Sequence, residues 1–204
     1  MYTTITEYIE LAVQGIGQIP ESRIPILDQV VSFVRDQQAA NLPVNLVFIC
    51  THNSRRSHFG QVWAATMASF FGIENVHTYS GGTETTAFNP RAVAALQRIG
   101  FQIHNPGGEN PHYQVRFSDA TEPLEAFSKV YDDPSIPTDI KAAVMTCSEA
   151  DANCPFVPGA RKRISLTYQD PKEADDTPEE QARYDERCLQ IATEMAYVMQ
   201  TLKG

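Results

Sequence analysis

The stretch from Val44 to Ser57, VNLVFICTHNSRRS, constrains the fold more than any other part of the chain. An apolar run ends in a cysteine, and an arginine follows six residues later. Continuous apolar runs rich in Val, Ile and Phe are typical of strands that are buried on both faces of a parallel sheet. We therefore predict a buried strand that delivers the loop from Cys50 to Ser57 at one edge of the sheet.

The residue types in this loop suit the binding of an oxyanion. Apolar residues recur at helical spacing after it, at Phe59, Val62, Trp63, Met67 and Phe70. They predict a helix over 54–71, so the loop ends at the positive end of a helix dipole, where amide groups converge on an anion. Such a terminus with a nearby cation lowers the pKa of a thiol from roughly 8.5 to about 3.5–7.5. We expect Cys50 to be a nucleophilic thiolate and Arg56 to hold two oxygens of a tetrahedral anion.

The other loop residues are candidates for the lining of the oxyanion site: Thr51, His52, Asn53, Ser54, Arg55 and Ser57. Ser57 is placed to hydrogen-bond the thiolate, and Asn53 to hold the shape of the loop. His52 either touches the substrate or faces solvent. A structural cysteine beside a surface arginine is the plainer interpretation of Cys-x5-Arg. The preceding strand and the following helix favour the anion site instead.

The composition excludes several classes of partner. A formal charge of −9 on 204 residues argues against nucleic acid or an anionic membrane surface as the main partner. No apolar run approaches the roughly 18–20 residues of a membrane span, and the first residues lack the basic region of a signal peptide. We therefore expect a cytoplasmic protein. Four cysteines in that setting favour catalytic or redox roles, and their spacings match no zinc site.

From Val44 onward, strand and helix patterns alternate, which predicts an α/β fold with a four-stranded parallel sheet and helices on both faces. The strands are expected near 44–49, 75–79, 142–146 and 162–166. Asn89-Pro90 opens one helix, and residues 177–180 cap the last one. Cys188 lies on the apolar stripe of that last helix, so we expect it in the core.

Two segments fall outside this pattern. Residues 1–42 are predicted to form a helical extension to a domain at 43–204, with a capping box at Thr4 and Glu7 and a second helix from about Pro25. So short a pair packs either on the domain or on a second copy, and the latter would make a homodimer. Residues from about 105 to 139 are predicted to be an insertion with two strands, which is either a lid or a surface decoration.

Three further residues are candidates for chemistry. Cys147 follows a predicted strand, which places it at the same edge of the sheet as Cys50. Cys154 follows seven residues later, and a helix would hold the two about 10 Å apart, beyond the roughly 4.4–6.8 Å between Cα atoms of a disulfide. Their pairing therefore requires 148–153 to unwind; the alternative is two unrelated cysteines. Asp170, in an Asp-Pro pair after the last strand, is placed to protonate a leaving oxygen, although Asp-Pro is also common in turns.

The sequence CTHNSRRS resembles the loop of the low-molecular-weight protein tyrosine phosphatases and of the thioredoxin-coupled arsenate reductases that share their fold. The resemblance continues through residues 78–103, 144–155 and 168–171. It covers most of 43–204 but neither 1–40 nor about 105–139. It implies that Cys50 is the nucleophile and Asp170 the general acid.

The arsenate reductases imply a relay of three cysteines. Cys50 attacks arsenate, Cys147 attacks Cys50 as arsenite leaves, and Cys154 attacks Cys147. The resulting disulfide is reduced by thioredoxin or a similar dithiol, with no tightly bound cofactor. Some of these reductases bind potassium through an acidic residue eleven after the nucleophile, where this chain has Gln61. The resemblance therefore leaves potassium binding open for this chain, and the surroundings of Gln61 test it.

The phosphatases of the family imply a different reaction, the hydrolysis of phosphotyrosine or a small aryl phosphate. That reaction needs only Cys50, Arg56 and Asp170. These phosphatases carry aromatic residues after their Asp-Pro pair, whereas Lys172 and Glu173 follow here, which favours the reductase. An aromatic wall from the insertion is the alternative, from Tyr113, Phe117 and Tyr131. A non-catalytic anion-binding module would leave Asp170 and the cysteine pair without a role.

Overall fold

The computed structural model describes residues 1–139, 141–153 and 156–204. Its strands are β1 (Val44–Cys50), β2 (Val76–Gly82), β3 (Gln102–His104), β4 (Tyr113–Arg116), β5 (Leu124–Ala126), β6 (Lys141–Met145) and β7 (Ala160–Ser165). Its α-helices are α1 (Thr3–Gln14), α2 (Ile24–Ala39), α3 (Arg56–Phe71), α4 (Pro90–Ile99), α5 (Ser148–Asn153) and α6 (Glu180–Lys203). Short 3₁₀ helices lie at Gly15–Gln18 and Pro171–Ala174.

The central sheet is parallel and four-stranded, in the order β2-β1-β6-β7. Each strand overlaps one of the four predicted from the sequence. β1 is buried along its whole length, and its neighbours β2 and β6 flank it on both sides. The predicted α/β fold is therefore confirmed. The loop that follows Cys50 leaves the sheet from one of its two central strands.

The two faces of the sheet are covered unequally. Successive residues of a strand point to opposite faces. Leu46 and Phe48 belong to the large core formed with α1, α2, α3, α4 and α6, whereas Val47 and Ile49 belong to a smaller cluster that includes Cys147 and residues of α5. Cys50 lies in the smaller cluster as well. The two cysteines thus belong to the same buried cluster.

The N-terminal extension packs on its own chain. Ile5 and Ile9 of α1 and Leu27 and Val30 of α2 are fully buried in the large core. Both helices contact α6. Of the two alternatives for this pair of helices, packing on the domain is the one observed, and the homodimer stays a prediction.

The capping box predicted at Thr4 and Glu7 is wrong. Thr4 lies inside α1, which begins at Thr3 after Tyr2 and has no side-chain cap. The amide of Tyr2 donates to the carbonyl of Phe117 at 2.9 Å, and its hydroxyl donates to Asp119 at 2.7 Å. Because these tertiary contacts fix Tyr2, they set the start of the helix two residues earlier than a cap at Thr4 allows.

The insertion contributes two strands, β4 and β5, as predicted. They form an antiparallel sheet in the order β3-β4-β5 with β3, which directly follows α4 and precedes the insertion. The second predicted strand is paired only at Leu124–Ala126. Beyond it the chain runs beside β2, where the amide of Gly82 donates to the carbonyl of Lys129 at 2.8 Å and the amide of Tyr131 to Gly82 at 2.9 Å. These contacts to the central sheet end the local pairing.

Gly60 lies where α3 crosses β1. A Cβ atom there would come within 2.4 Å of the ring of Phe48, which is 1% exposed. We expect Gly60→Ala to lower the free energy of unfolding by roughly 1–3 kcal/mol, because the packed core resists added volume. Denaturant unfolding measures this. Gly17→Ala is the control, since no atom lies within 4 Å of its Cβ; equal losses in the two variants would contradict the packing argument.

Candidate active site

The loop between β1 and α3 directs two polar side chains toward Cys50. The Ser57 hydroxyl oxygen lies 3.1 Å from the Cys50 sulfur and accepts a hydrogen bond from the Asn53 amide nitrogen Nδ2 at 2.9 Å. Because Asn53 supplies that hydrogen, the hydroxyl hydrogen of Ser57 is free to point at the sulfur. Asn53 has a φ of 43°, a left-handed conformation that asparagine tolerates better than most residues. The predicted roles of Asn53 and Ser57 agree with these contacts.

The insertion holds the outer side of this loop. The backbone amide of Lys129 donates to Asn53 Oδ1 at 2.9 Å, and the Ser128 hydroxyl donates to the carbonyl of His52 at 2.9 Å. From the segment after β2, the amide of Glu84 donates to the carbonyl of Thr51 at 2.8 Å. The insertion was expected to be a lid or a decoration, and this part of it is a support for the loop. No local pattern could have identified Ser128 and Lys129, because backbone groups make most of these contacts.

Arg56 joins the loop to the segment that follows β7. Its Nη1 donates to the carbonyl of Tyr168 at 2.8 Å, and its Nη2 donates to the Asp170 carboxylate at 2.7 Å. Arg56 is 7% exposed and the Asp170 side chain is 31% exposed, so the contact with Tyr168 is buried and the contact with Asp170 is partly open to water. The structure therefore brings Arg56 and Asp170 together. An incoming oxyanion has to share the guanidinium with, or displace, the Asp170 carboxylate.

Arg55 makes its contacts with α6 and with two acidic side chains. Its Nε donates to the hydroxyl of Tyr184 on α6 at 2.8 Å, and its Nη2 lies 3.5 Å from the Asp175 carboxylate. Its Nε is also 4.0 Å from Asp170. Burial raises the pKa of Tyr184 to about 12, so this hydroxyl stays neutral. Arg55 therefore ties the loop to α6 and places a second positive charge near Asp170.

A cavity of about 320 Å³ adjoins the loop. It is lined by His52, Ser54, Arg55, Thr86, Ala87, Asn89, Pro90 and Lys172. His52 is partly exposed and lies 3.5 Å from Glu84, whereas the Ser54 hydroxyl donates to the carbonyl of Ala87. Of the described residues that line this cavity, none is Phe, Tyr or Trp. The wall beside the loop is polar and carries cationic groups.

Of the three aromatic residues considered for a wall from the insertion, two lie in the large core. Tyr113 and Phe117 are 6% and 5% exposed and belong to the large core, where the Tyr113 ring packs edge-on against Phe88. Tyr131 is partly buried and packs against the smaller cluster, which includes Cys50, beside Gly81. The structure therefore removes Tyr113 and Phe117 from an aromatic wall, and Tyr131 stays a candidate for one.

Cys147 lies beside the Cys50 loop. Its sulfur is 3.4 Å from the hydroxyl of Thr51 and accepts a hydrogen bond from the amide of Ala150 at 3.4 Å. It is fully buried and directly precedes α5. The amide of Thr146 donates to the carbonyl of Ile49, which locks the two strand ends side by side. The structure thus brings together the predicted Cys147 and Cys50 sites. Cys154 lies outside the described residues.

Cys188 is a core residue, as the sequence predicts. It is fully buried, and the indole nitrogen of Trp63 donates to its sulfur at 3.1 Å. Burial raises the pKa of this thiol to about 12. At neutral pH it is therefore an unreactive thiol, which makes it an internal reference for the other cysteines.

The surroundings of Gln61 do not fit a potassium site. Gln61 Oε1 accepts from the Ser80 hydroxyl at 2.6 Å, and its Nε2 donates to the carbonyl of Glu125 at 3.1 Å. Gln61 shares a cavity of about 200 Å³ with Lys129. Burial and the charge of Lys129 lower the pKa of neighbouring His58 to about 3, which shows that the positive charge of Lys129 acts on this region. A potassium ion needs oxygen ligands that are not already engaged and is repelled by an ammonium group.

In the residues that the structure describes, no group of three or more His, Cys, Asp and Glu side chains is arranged to hold a metal ion. Within the same residues, no helix has the length and apolarity needed to cross a membrane.

Asn53→Asp tests the contact between Asn53 and Ser57. The aspartate keeps the acceptor for Lys129 but cannot donate to Ser57, so the hydroxyl turns away from the Cys50 sulfur. We expect the apparent dissociation constant for phosphate to rise by roughly tenfold, since a buried hydrogen bond to a charged group is lost. Protection of Cys50 from iodoacetamide by phosphate measures this constant.

The control is Asn41→Asp, because Asn41 also has a positive φ but is exposed at the end of α2. Asn41→Asp should leave phosphate protection unchanged. If phosphate protects Cys50 in Asn53→Asp as well as it does in the wild type, the Asn53–Ser57–Cys50 arrangement does not support the anion site.

Known proteins similar to this chain fall into two groups on one fold. No protein-family model matches the chain. It is 30% identical over 126 residues to an arsenate reductase of Staphylococcus aureus (strain Newman), covering 62% of this chain and 77% of that protein. A low-molecular-weight phosphotyrosine phosphatase from Vibrio cholerae O395 superposes with a TM-score of 0.52 at 14% identity, over 78% of this chain and 95% of that one. An arsenate reductase in its oxidized state superposes with a TM-score of 0.51 at 14% identity, over 78% and 98%.

Proposed function

Because the chain belongs to the arsenate reductases that share the fold of the low-molecular-weight protein tyrosine phosphatases, we propose that it reduces arsenate to arsenite through a relay of three cysteines. The observation that carries this proposal is the second thiol, Cys147, which is buried against the Cys50 loop at Thr51. Phosphate-ester hydrolysis has no use for that thiol. The polar wall of the adjoining cavity also suits a small inorganic anion better than an aryl group.

In the first step, the Cys50 thiolate attacks the arsenic atom of arsenate. The loop amides and Arg56 hold the remaining oxygens, and the Ser57 hydroxyl steadies the sulfur before attack. When arsenate takes its place on Arg56, the Asp170 carboxylate takes a proton from the bound dihydrogen arsenate and passes it to the departing hydroxyl, which leaves as water. The product is a covalent Cys50–S–As(V) adduct. Arsenic keeps its oxidation state in this step because one oxygen ligand is exchanged for sulfur.

In the second step, the Cys147 thiolate attacks the sulfur of Cys50. A Cys50–Cys147 disulfide forms, the S–As bond breaks, and its electron pair stays on arsenic, which leaves as arsenite. The two sulfurs have together lost two electrons and arsenic has gained them. The proximity of Cys147 to Thr51, the residue after Cys50, supports this step.

In the third step, the Cys154 thiolate attacks Cys147, which releases Cys50 and forms a Cys147–Cys154 disulfide. A dithiol such as thioredoxin then reduces this disulfide, and the cytoplasm keeps that donor reduced. Cys147 is fully buried in this structure, so α5 has to open before a protein donor can reach its sulfur. A six-residue helix with one buried residue, Ala150, opens at low cost.

Cysteine variants separate the steps of the relay. We expect Cys147→Ser to release no arsenite, because no sulfur is left to attack Cys50. Cys154→Ser should release about one arsenite per protein molecule and then stop, since no third thiol is left to attack Cys147 and regenerate the Cys50 thiolate. Cys188→Ala is the matched control and should turn over fully. The assay follows arsenite with thioredoxin, thioredoxin reductase and NADPH, beside hydrolysis of an aryl phosphate.

In the phosphatase alternative, Cys147 has no role in the chemistry. If neither the wild type nor any variant releases arsenite, and Cys147→Ser keeps its aryl phosphatase activity, the chain is a phosphatase. Multiple turnovers of arsenate by Cys147→Ser would contradict the relay in a different way, because reduction would then bypass that sulfur.

Asp170→Asn tests the proton donor. The amide keeps an oxygen for Arg56 but has no proton to give, so we expect the rate of arsenate reduction to fall by about 10²–10⁴-fold. Asp176→Asn is the control, because Asp176 is an exposed carboxylate that pairs with Arg91. Single-turnover release of arsenite measures both. A rate for Asp170→Asn within twofold of the control would remove Asp170 from the mechanism.

A further inference from the structure

Helix α6 buries a carboxylate far from the Cys50 sulfur in sequence. Glu194 is 1% exposed, and its oxygens contact Arg23 Nε and Arg23 Nη2, the latter at 2.8 Å. The hydroxyl of Tyr168 donates to the same carboxylate at 2.7 Å. A buried carboxylate is costly unless charged and hydrogen-bonding partners compensate it. Arg23 and Tyr168 are those partners, so the three side chains hold one another in place.

Arg23 also grips the backbone of the segment after β7. Its Nη1 donates to the carbonyl of Thr167 at 3.1 Å, and its guanidinium carbon lies 5.0 Å from the centre of the Tyr168 ring. Arg23 therefore touches the chain before Tyr168, the face of the Tyr168 ring and, through Glu194, the hydroxyl at its tip. The planar fork of an arginine makes these contacts together, which an ammonium group could not do.

The backbone of Tyr168 leads to the anion site. Its carbonyl accepts from Arg56 Nη1 at 2.8 Å, and Asp170, two residues on, accepts from Arg56 Nη2 at 2.7 Å. The amide of Tyr168 donates to the carbonyl of Thr146, the neighbour of Cys147, at 3.1 Å. Any displacement of Tyr168 is therefore felt by the guanidinium that is to hold the oxyanion.

We propose that Arg23, in the N-terminal helical extension, is a positioning residue for the oxyanion site: through Glu194 and Tyr168 it fixes the segment 167–170, and with it Arg56 and Asp170. Arg23 touches no substrate. The extension thereby completes the anion site of the domain it packs on. This inference rests on the oxyanion site of the proposed function, but not on the cysteine relay.

Phosphate is the probe, and its dissociation constant is measured by protection of Cys50 from iodoacetamide, well below the melting temperature of every variant. Tyr168→Phe removes only the hydroxyl, and Arg23→Lys keeps the charge without the fork. Arg23→Met combined with Glu194→Met removes the ion pair without leaving a charge buried alone, so this double variant keeps its fold. We expect each to weaken phosphate binding by roughly tenfold, because contacts to a charged group lose their alignment.

Arg35→Met is the matched control. Arg35 also lies in the extension and also donates to α6, to the carbonyl of Thr201 at 2.8 Å, about two helical turns beyond Glu194. Arg35→Met should leave the dissociation constant for phosphate unchanged, whether or not it lowers the melting temperature. A purely structural role for the extension would instead make phosphate affinity follow the melting temperature in all variants.

Two results would overturn the inference. One is a folded double variant, or Arg23→Lys, that binds phosphate as the wild type does. The other is a loss of affinity in Arg35→Met equal to that in Arg23→Lys. Arg56→Lys distinguishes this failure from failure of the anion site itself: if Arg56→Lys also binds phosphate normally, the oxyanion site is wrong, and not only the role of Arg23.

Discussion

The contact of Arg56 with the segment after β7 is the interaction on which the candidate site depends. One guanidinium binds the Tyr168 carbonyl and the Asp170 carboxylate while it sits on the first turn of α3, directly after the Cys50 loop. A planar fork holds two acceptors at fixed angles, so the start of α3 and the segment after β7 are kept in one geometry. Arg56, Tyr168 and Asp170 are thus parts of a single hydrogen-bonded unit.

Around this unit, the loop is held from both flanks by backbone groups. The insertion supplies the Lys129 amide to Asn53, and the segment after β2 supplies the Glu84 amide to Thr51. Backbone donors cannot rotate away as side chains can. The strained φ of Asn53 persists because these contacts and the bond to Ser57 over-determine it. A loop held in this way has a fixed shape before any ligand binds, and a preformed site costs less to occupy.

Cys147, which lies beside the Cys50 loop, has different surroundings from Cys188. Cys188 is enclosed in the apolar core with Trp63, and burial keeps it a thiol. Cys147 instead sits at the start of a short helix, with a hydroxyl and an amide as its neighbours. Cys188 therefore serves packing, whereas Cys147 has polar neighbours and precedes a short helix that opens at low cost.

The sequence by itself determined the sheet, the loop and the identity of the residues in it. These follow from local patterns: the apolar run before Cys50, the helical spacing after it, and the Asn89 cap that the structure retains. Only the tertiary structure decided what lies against the loop. The Lys129 amide, the Thr51–Cys147 contact and the Arg23–Glu194–Tyr168 cluster join residues that are distant in sequence, and no periodicity records such a pairing. The wrong capping box at Thr4 has the same cause, since contacts to remote backbone groups outweigh local preference.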